Sequence, residues 1–516
     1  MKYFKKYKIE LLAFILLSVF YFFLRLYRLS YLPIFTDEAI YMRWSQIALH
    51  DSSWRFISLT DGKQPLFIWL TMIYMRFIKD PLLAGRLVSV SSGFFTMIGM
   101  FFLTYELFKN KKIAFICCLL YIFYPFAQVY DRMALMDGMV GTFAVWILYF
   151  SILLIRNLRL DIAYTLGFVM GAGILTKSDN FLSIYLLPLT LIFFPLKKRP
   201  RLVYFFKWAG LVLFAVVISQ VFYAVLRLSP FYGVISEKNN NFVYPLYKWL
   251  DHPFTFFIGN FKGMTEWLFE YLKLPYIILI LGSLFSLLKQ PKEKILLFLY
   301  FIAPFTALAL FGRILFPRFI YFMSLFLIPL AAWFLFYLAE FINKRFNFAT
   351  KTKTNALLAV VIIIFVVYPA FVSFQFAKDP ITAPIAHADS NQYVNNWTAG
   401  WGVRESIAFF AKQAKNRKIF IATEGTFGLL PESFELYLVN NPNVTIKGIW
   451  PIKDTVPQEV VNASKKMETY FVFYQPCSSC KYPGTAPISW RNLQLIYRYQ
   501  LNPLKKSYFS IYKVNL

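Results

Sequence analysis

The chain has 516 residues, of which 59% are hydrophobic, 21% aromatic and only 16% charged. Soluble domains carry about 25% charged residues, so this composition excludes an ordinary soluble globular protein and describes a polytopic α-helical membrane protein. The formal charge of +28 does not point to nucleic acid, because Lys and Arg gather in short clusters between apolar runs, as they do in the cytoplasmic loops of membrane proteins.

In chain order, Lys2, Lys5, Lys6 and Lys8 lead into a first apolar run over 9–29. This start resembles a signal peptide. However, Arg25, Tyr27 and Arg28 occupy the region where small residues would mark cleavage, so the run is read as an uncleaved span. Ten more spans are predicted, over 83–107, 113–130, 134–155, 162–177, 180–196, 203–227, 272–289, 295–312, 317–341 and 355–376. With the N-terminus inside, the clusters Lys109/Lys111/Lys112, Arg156/Arg159, Lys197/Lys198/Arg199/Arg201, Lys289/Lys292/Lys294 and Lys344/Arg345/Lys351/Lys353 all fall on the cytoplasmic side. The loops 30–82 and 228–271 and everything after Ala377 then fall outside. The run 65–78 begins with Pro65, contains Arg76 and has only fourteen residues, against about 20 for a span. It is read as an interfacial helix on the outer leaflet.

Beyond the transmembrane domain 1–377, the tail 378–516 is polar and mixed in charge. Runs at 418–423, 444–449, 469–475 and 493–499 read as strands. Val403, Ile407, Phe410, Ala411 and Ala414 share one helical face, and 431–439 begins like a helix with Pro431 early. Strand alternating with helix predicts a small extracytoplasmic α/β domain. Cys117 and Cys118 lie within a span and read as packing residues. Cys477 and Cys480 form a lone CxxC, which fits a local disulfide in an oxidising compartment better than a zinc site. Asn396, Asn443 and Asn462 open Asn-x-Ser/Thr triplets on the outer side.

The residues able to do chemistry lie at outer span ends. Asp37 and Glu38 follow the first span, where carboxylates are costly to desolvate and so suggest function. The structural alternative is a helix capped by Thr36 with acids in its first turn. Asp131, Arg132 and Asp137 follow the third span, Lys177 and Asp179 the fifth, and Arg313 and Arg318 precede the tenth. Taken singly, Lys177 and Arg313 read as solvated loop charges or lipid-headgroup anchors. Converging at one depth, such a set can hold an anionic phosphate beside a carboxylate base.

Thr36-Asp37-Glu38-Ala39-Ile40-Tyr41, Lys63-Gln64-Pro65-Leu66-Phe67-Ile68-Trp69-Leu70 and Ala84-Gly85-Arg86-Leu87-Val88-Ser89 resemble the opening blocks of GT-C glycosyltransferases. The likeness is to bacterial relatives of dolichyl-phosphate-mannose protein mannosyltransferase and of the lipid A aminoarabinose transferase. Asp131-Arg132-Met133-Ala134-Leu135-Met136-Asp137, Gly171-Ala172-Gly173-Ile174-Leu175-Thr176-Lys177 and Arg318-Phe319-Ile320-Tyr321 are similar to later blocks. The resemblance implies a polyprenyl-phosphate sugar donor and a hydroxyl acceptor on a lipid, glycan or protein, reacting with inversion at the outer face. It implies Asp37 as the base and Glu38 beside it. Arg132, Arg318 and Lys177 would hold the donor phosphate, and Asp131, Asp137 and Tyr41 would position substrate. Where the family often carries a His, this chain has Asp61-Gly62-Lys63-Gln64. His50, His252 and His387 are too scattered to suggest a metal site. No cofactor is assigned, and dependence on a divalent cation is left open. The rival class is a transporter or flippase of lipid-linked sugars, which would be expected to show paired repeats with broken helices near mid-membrane.

Overall fold

The structure is a computed structural model that describes residues 8–195, 200–286, 289–346, 351–502 and 505–515. Lys2, Lys5, Lys6, Lys197, Lys198 and Arg199 of the predicted basic clusters lie outside these residues, as do 196 and 287–288 of two predicted spans. Two compact units emerge: Met1–Tyr27, Phe56–Phe67 and Arg86–His387 form one, and Arg28–Arg55, Ile68–Gly85 and Ala388–Leu516 the other.

The first unit is helical. Among the described residues, eight helices are long and apolar enough to cross a membrane: Lys8–Leu26, Pro81–Phe108, Met136–Asn157, Arg201–Leu228, Phe257–Phe285, Pro291–Phe311, Arg318–Phe346 and Thr352–Lys378. The other three predicted spans fall on shorter or interrupted helices. The run 113–130 divides into Lys111–Phe123 and Pro125–Tyr130, because Pro125 has no N–H to continue the ladder and Tyr124 before it is extended (φ −69°, ψ 115°). Leu160–Thr176 has 17 residues, and Asn180–Tyr185 tightens into a 3₁₀ turn over Leu187–Phe193. The run 65–78 holds the ten-residue helix Leu66–Met75, shorter than the eight helices above. Phe257–Phe285 is interrupted at Lys273 (φ 56°), ahead of Pro275.

Two of the predicted basic clusters meet through a shared carboxylate. Lys111 pairs with Glu10 at 2.9 Å, while Lys109 (2.7 Å) and Arg156 both pair with Glu106. Loop 228–256 is pinned to the turn before Arg318: Tyr244 N donates to Phe311 O at 2.8 Å and Arg313 N to Phe242 O at 2.8 Å.

The second unit contains a five-stranded sheet in the order β2-β1-β3-β5-β4. β1 (Ile419–Glu424) runs parallel to β2 (Val444–Ile449) and to β3 (Glu468–Phe473). β5 (Lys505–Val514) is antiparallel to β3 and to β4 (Leu493–Asn502). β5 was not among the predicted strands. Phe420, Ala422, Phe471, Phe473, Trp490, Tyr512 and Val514 make the core of one face. The helices Val403–Gln413 and Glu432–Leu438 lie where sequence periodicity places them. Cys477 and Cys480 are joined in a disulfide.

Candidate functional site

In the first unit, Lys177 caps the C-terminus of Leu160–Thr176, where a cation suits the helix dipole. Its Nζ lies 2.8 Å from Asp137 Oδ1 and 2.8 Å from Asp179 Oδ2, and 4.5 Å from the centre of the Phe319 ring. Asp137 stands in the first turn of Met136–Asn157, the favourable end for an acid. The carboxylates of Asp137 and Asp179 face the amine directly, and the charge of Arg318 also acts on it. Arg318 opens Arg318–Ser324, with its guanidinium 4.8 Å from the centre of the Phe316 ring. Four charged groups from three chain regions thus meet at helix ends, two cationic and two anionic. Gln64 joins them by donating to Ser178 Oγ at 2.7 Å, and Asn239 Nδ2 reaches the same hydroxyl at 3.3 Å. Sequence reasoning passed over Gln64 as the place where a His was missing, and it gave Asp179 no role.

Asp131 and Arg132 have other partners. Asp131 is fully buried, with Arg25 Nε 3.0 Å from Oδ2. Tyr121 donates to both carboxylate oxygens (3.1 and 3.0 Å), Tyr21 to Oδ2 (3.3 Å) and Tyr321 to Oδ1 (3.3 Å). Arg132 is 2% exposed, and its Nη1 donates to the carbonyls of Leu24 (2.7 Å), Arg25 (3.1 Å) and Tyr27 (2.9 Å). These are carbonyls at the end of Lys8–Leu26, which lack helical partners. Asp131, expected to position substrate, and Arg132, expected to bind phosphate, are thus both held in a buried network that ties the first helix to the third predicted span. Arg25, the ion-pair partner, was missed. An Arg within an apolar run is a sequence signal for such a partner.

In the second unit, Ile34 and Phe35 pair with the tail. Gly400 N donates to Ile34 O at 2.8 Å, Phe35 bridges Ala399, and both Thr36 N (3.2 Å) and Thr36 Oγ1 (3.1 Å) donate to Thr398 O. This short ladder fixes the start of the helix Thr36–His50. Glu38 is fully buried and its Oε2 accepts from Phe35 N at 3.0 Å, the reciprocal half of a capping box. Glu38, expected beside the base, is thus tied by this contact to the start of the helix. Asp37, one residue earlier, is half-buried in the first turn. Tyr41, expected to position substrate, is buried and stacks on Trp44 at 5.8 Å. The same helix is held by Arg43, 3.0 Å from Glu435, and by Gln46 donating to Leu436 O at 3.1 Å.

Two further carboxyls were not anticipated. Glu424, at the end of β1, accepts from Tyr474 N (2.8 Å) and Gln475 N (2.7 Å), and burial pushes its pKa up to about 7. Glu432 accepts from Gly428 N at 3.0 Å and is likewise raised by burial to about 7. Among the described residues, no group of three or more His, Cys, Asp or Glu is arranged to hold a metal.

Residues 62–223 match the family model described as dolichyl-phosphate-mannose-protein mannosyltransferase. The match takes in Gln64, Asp137 and Lys177 and leaves Asp37 and the tail outside it. No curated protein matches the chain. Among solved structures, ArnT from Cupriavidus metallidurans aligns at a TM-score of 0.58 and 14% identity, over 99% of this chain and 98% of that one. The same protein bound to undecaprenyl phosphate aligns equally (0.58, 14%, 99% and 98%). The archaeal oligosaccharyltransferase AglB from Archaeoglobus fulgidus, in complex with an inhibitory peptide and a dolichol-phosphate, aligns at 0.52 and 13% identity, over 98% of this chain and 74% of that one. At such identities the likeness is one of fold.

Proposed function

We propose that this chain, a member of the GT-C superfamily by fold and related to the protein mannosyltransferases and to ArnT, is a multi-pass membrane glycosyltransferase that moves a sugar from a polyprenyl-phosphate donor to a hydroxyl acceptor at the outer face. The observation that carries the reading is Lys177 held between Asp137 and Asp179, all three within the family-matched segment, beside Arg318 outside it. Two cations among carboxylates and helix ends suit a phosphate whose charge grows as the sugar departs. A neighbour of the same fold with undecaprenyl phosphate bound, and another with dolichol-phosphate, support a lipid-linked donor.

In this reading Lys177 and Arg318 hold the donor phosphate, and Asp137 and Asp179 set the position of Lys177. Asp37 takes the proton of the acceptor hydroxyl. The acceptor oxygen bonds to the anomeric carbon as the bond to phosphate breaks, and the electron pair leaves on the polyprenyl phosphate, inverting the anomeric centre. The acceptor is a lipid, glycan or protein hydroxyl.

Purified protein in vesicles with a radiolabelled polyprenyl-phosphate sugar and an extract of envelope acceptors tests this against the flippase alternative. A transferase releases free polyprenyl phosphate and labels the acceptor. Movement of intact donor across the bilayer with no cleavage would overturn the reading.

A further inference from the structure

A cavity of about 300 Å³ lies within the second unit, lined among others by Tyr31, Asp80, Trp401, Arg404, Glu405 and Tyr437. That volume is at the lower end for small-molecule sites and suits a ligand the size of a sugar ring. Its aromatic wall is rigid. Trp401 Nε1 donates to Val394 O at 2.8 Å, its ring stacks on Tyr499 at 6.1 Å, and Tyr31 meets it edge-on at 6.1 Å. Gly400 and Gly402 flank it: a Cβ at Gly400 would lie 2.5 Å from Ile34 O, and Gly402 has φ +87°. The tight turn that fixes Trp401 therefore requires glycine on both sides.

The polar wall is only partly used by the protein. Asp80 Oδ1 accepts from Leu82 N (3.0 Å), Leu83 N (3.3 Å) and Tyr437 Oη (3.0 Å), leaving Oδ2 without a protein partner among the described residues. Arg404 and Glu405, in the first turn of Val403–Gln413, are exposed, and neither has an ion-pair partner among the described residues. Among the lining residues one guanidinium thus stands against two carboxylates, while Arg28 stacks on the Tyr31 ring at 3.9 Å without itself lining the cavity. That balance repels an anionic headgroup or a phosphate and favours a neutral ring with several hydroxyls. Carboxylates accept from such hydroxyls, a guanidinium donates to ring and hydroxyl oxygens, and the C–H faces of a pyranose fit the negative faces of aromatic rings.

We propose that this cavity binds a neutral sugar ring of the acceptor. The wall is continuous with the catalytic segment. Ile34 O, which lines the cavity through its bond to Gly400, begins the ladder that ends at Thr36, next to Asp37. A ring seated against Trp401 is therefore registered by hydrogen bonds to the start of the helix that carries Asp37. Assigning the ring to the acceptor rests on the transferase reading; the binding of a neutral sugar does not.

Saturation-transfer NMR titrations of the full chain in nanodiscs, with methyl α-mannopyranoside and methyl β-glucopyranoside as probes and glycerol phosphate as the anionic control, test the site without turnover. At least one glycoside should bind with a dissociation constant on the order of 1 mM, and glycerol phosphate should not compete. Trp401→Ala should weaken binding about tenfold while Trp401→Phe keeps most of it. Glu405→Gln, at an exposed side chain without an ion-pair partner among the described residues, should weaken it about threefold with the melting temperature unchanged. Binding by glycerol phosphate in place of the glycosides, or glycoside binding unmoved in both Trp401→Ala and Glu405→Gln, would overturn the proposal. If the glycosides bind as stated but no transfer from a lipid-linked donor is found, the sugar site stands and the transferase reading falls.

Discussion

Arg132 and Arg318 looked alike in the sequence, each an arginine at a predicted outer span end, and the structure separates them. Arg132 donates to three backbone carbonyls and is 2% exposed, whereas Arg318 is half-buried beside Lys177. Their lysine variants should therefore fail in different ways. Arg318→Lys keeps the charge but loses the planar fork that meets phosphate oxygens. It should lower turnover by about 30- to 1000-fold, roughly 2–4 kcal/mol of transition-state stabilisation, with the melting temperature unchanged. Arg132→Lys cannot reach the same carbonyls and should cost about 1–3 kcal/mol of stability, read as a lower melting temperature, with turnover per folded molecule largely kept. Equal turnover losses without a stability change in both would return Arg132 to the phosphate site. Lys177 and Asp137 were legible because charge at a span end is rare enough to notice. Glu424 and Glu432 were not, since carboxylates in a polar tail carry no such signal before the fold buries them.

At the scale of elements, hydropathy located the long helices, since a run of about 20 apolar residues has few alternatives. It could not locate the interruptions. Pro125 and Pro188 break two predicted spans into shorter pieces, and Pro275 follows the interruption at Lys273. Asp131 and Lys177 themselves lie between helices, where their predicted places at span ends put them. The strand β5 escaped because its run, Lys505-Lys506-Ser507-Tyr508-Phe509, begins polar, and its place between β4 and the distant β3 is set by pairing rather than by its own composition. The helix Leu66–Met75 governs the phasing of everything after it. If it lies along the surface, fusions of a topology reporter after Lys111 read cytoplasmic and fusions after Lys378 read external. An external reading at Lys111 would make that helix a span and move the Lys177 cluster to the other face.

For the whole molecule, the tail was legible as a separate α/β domain, but the compact unit it belongs to was not. Segments 28–55 and 68–85 join it, through the ladder at Thr36 and the contacts of Arg43 and Gln46 with the helix Glu432–Leu438. Such long-range pairing leaves no local trace in composition. Asp37 consequently starts a helix whose first turn is set by the tail, which gives the tail a direct part in placing the proposed base. Transfer by Asp37→Asn tests that central claim most directly. The variant keeps size and shape but cannot accept a proton, so turnover from a polyprenyl-phosphate sugar should fall by roughly 100-fold or more while the melting temperature stays that of the wild type. Turnover within a few-fold of wild type in a folded Asp37→Asn protein would contradict it.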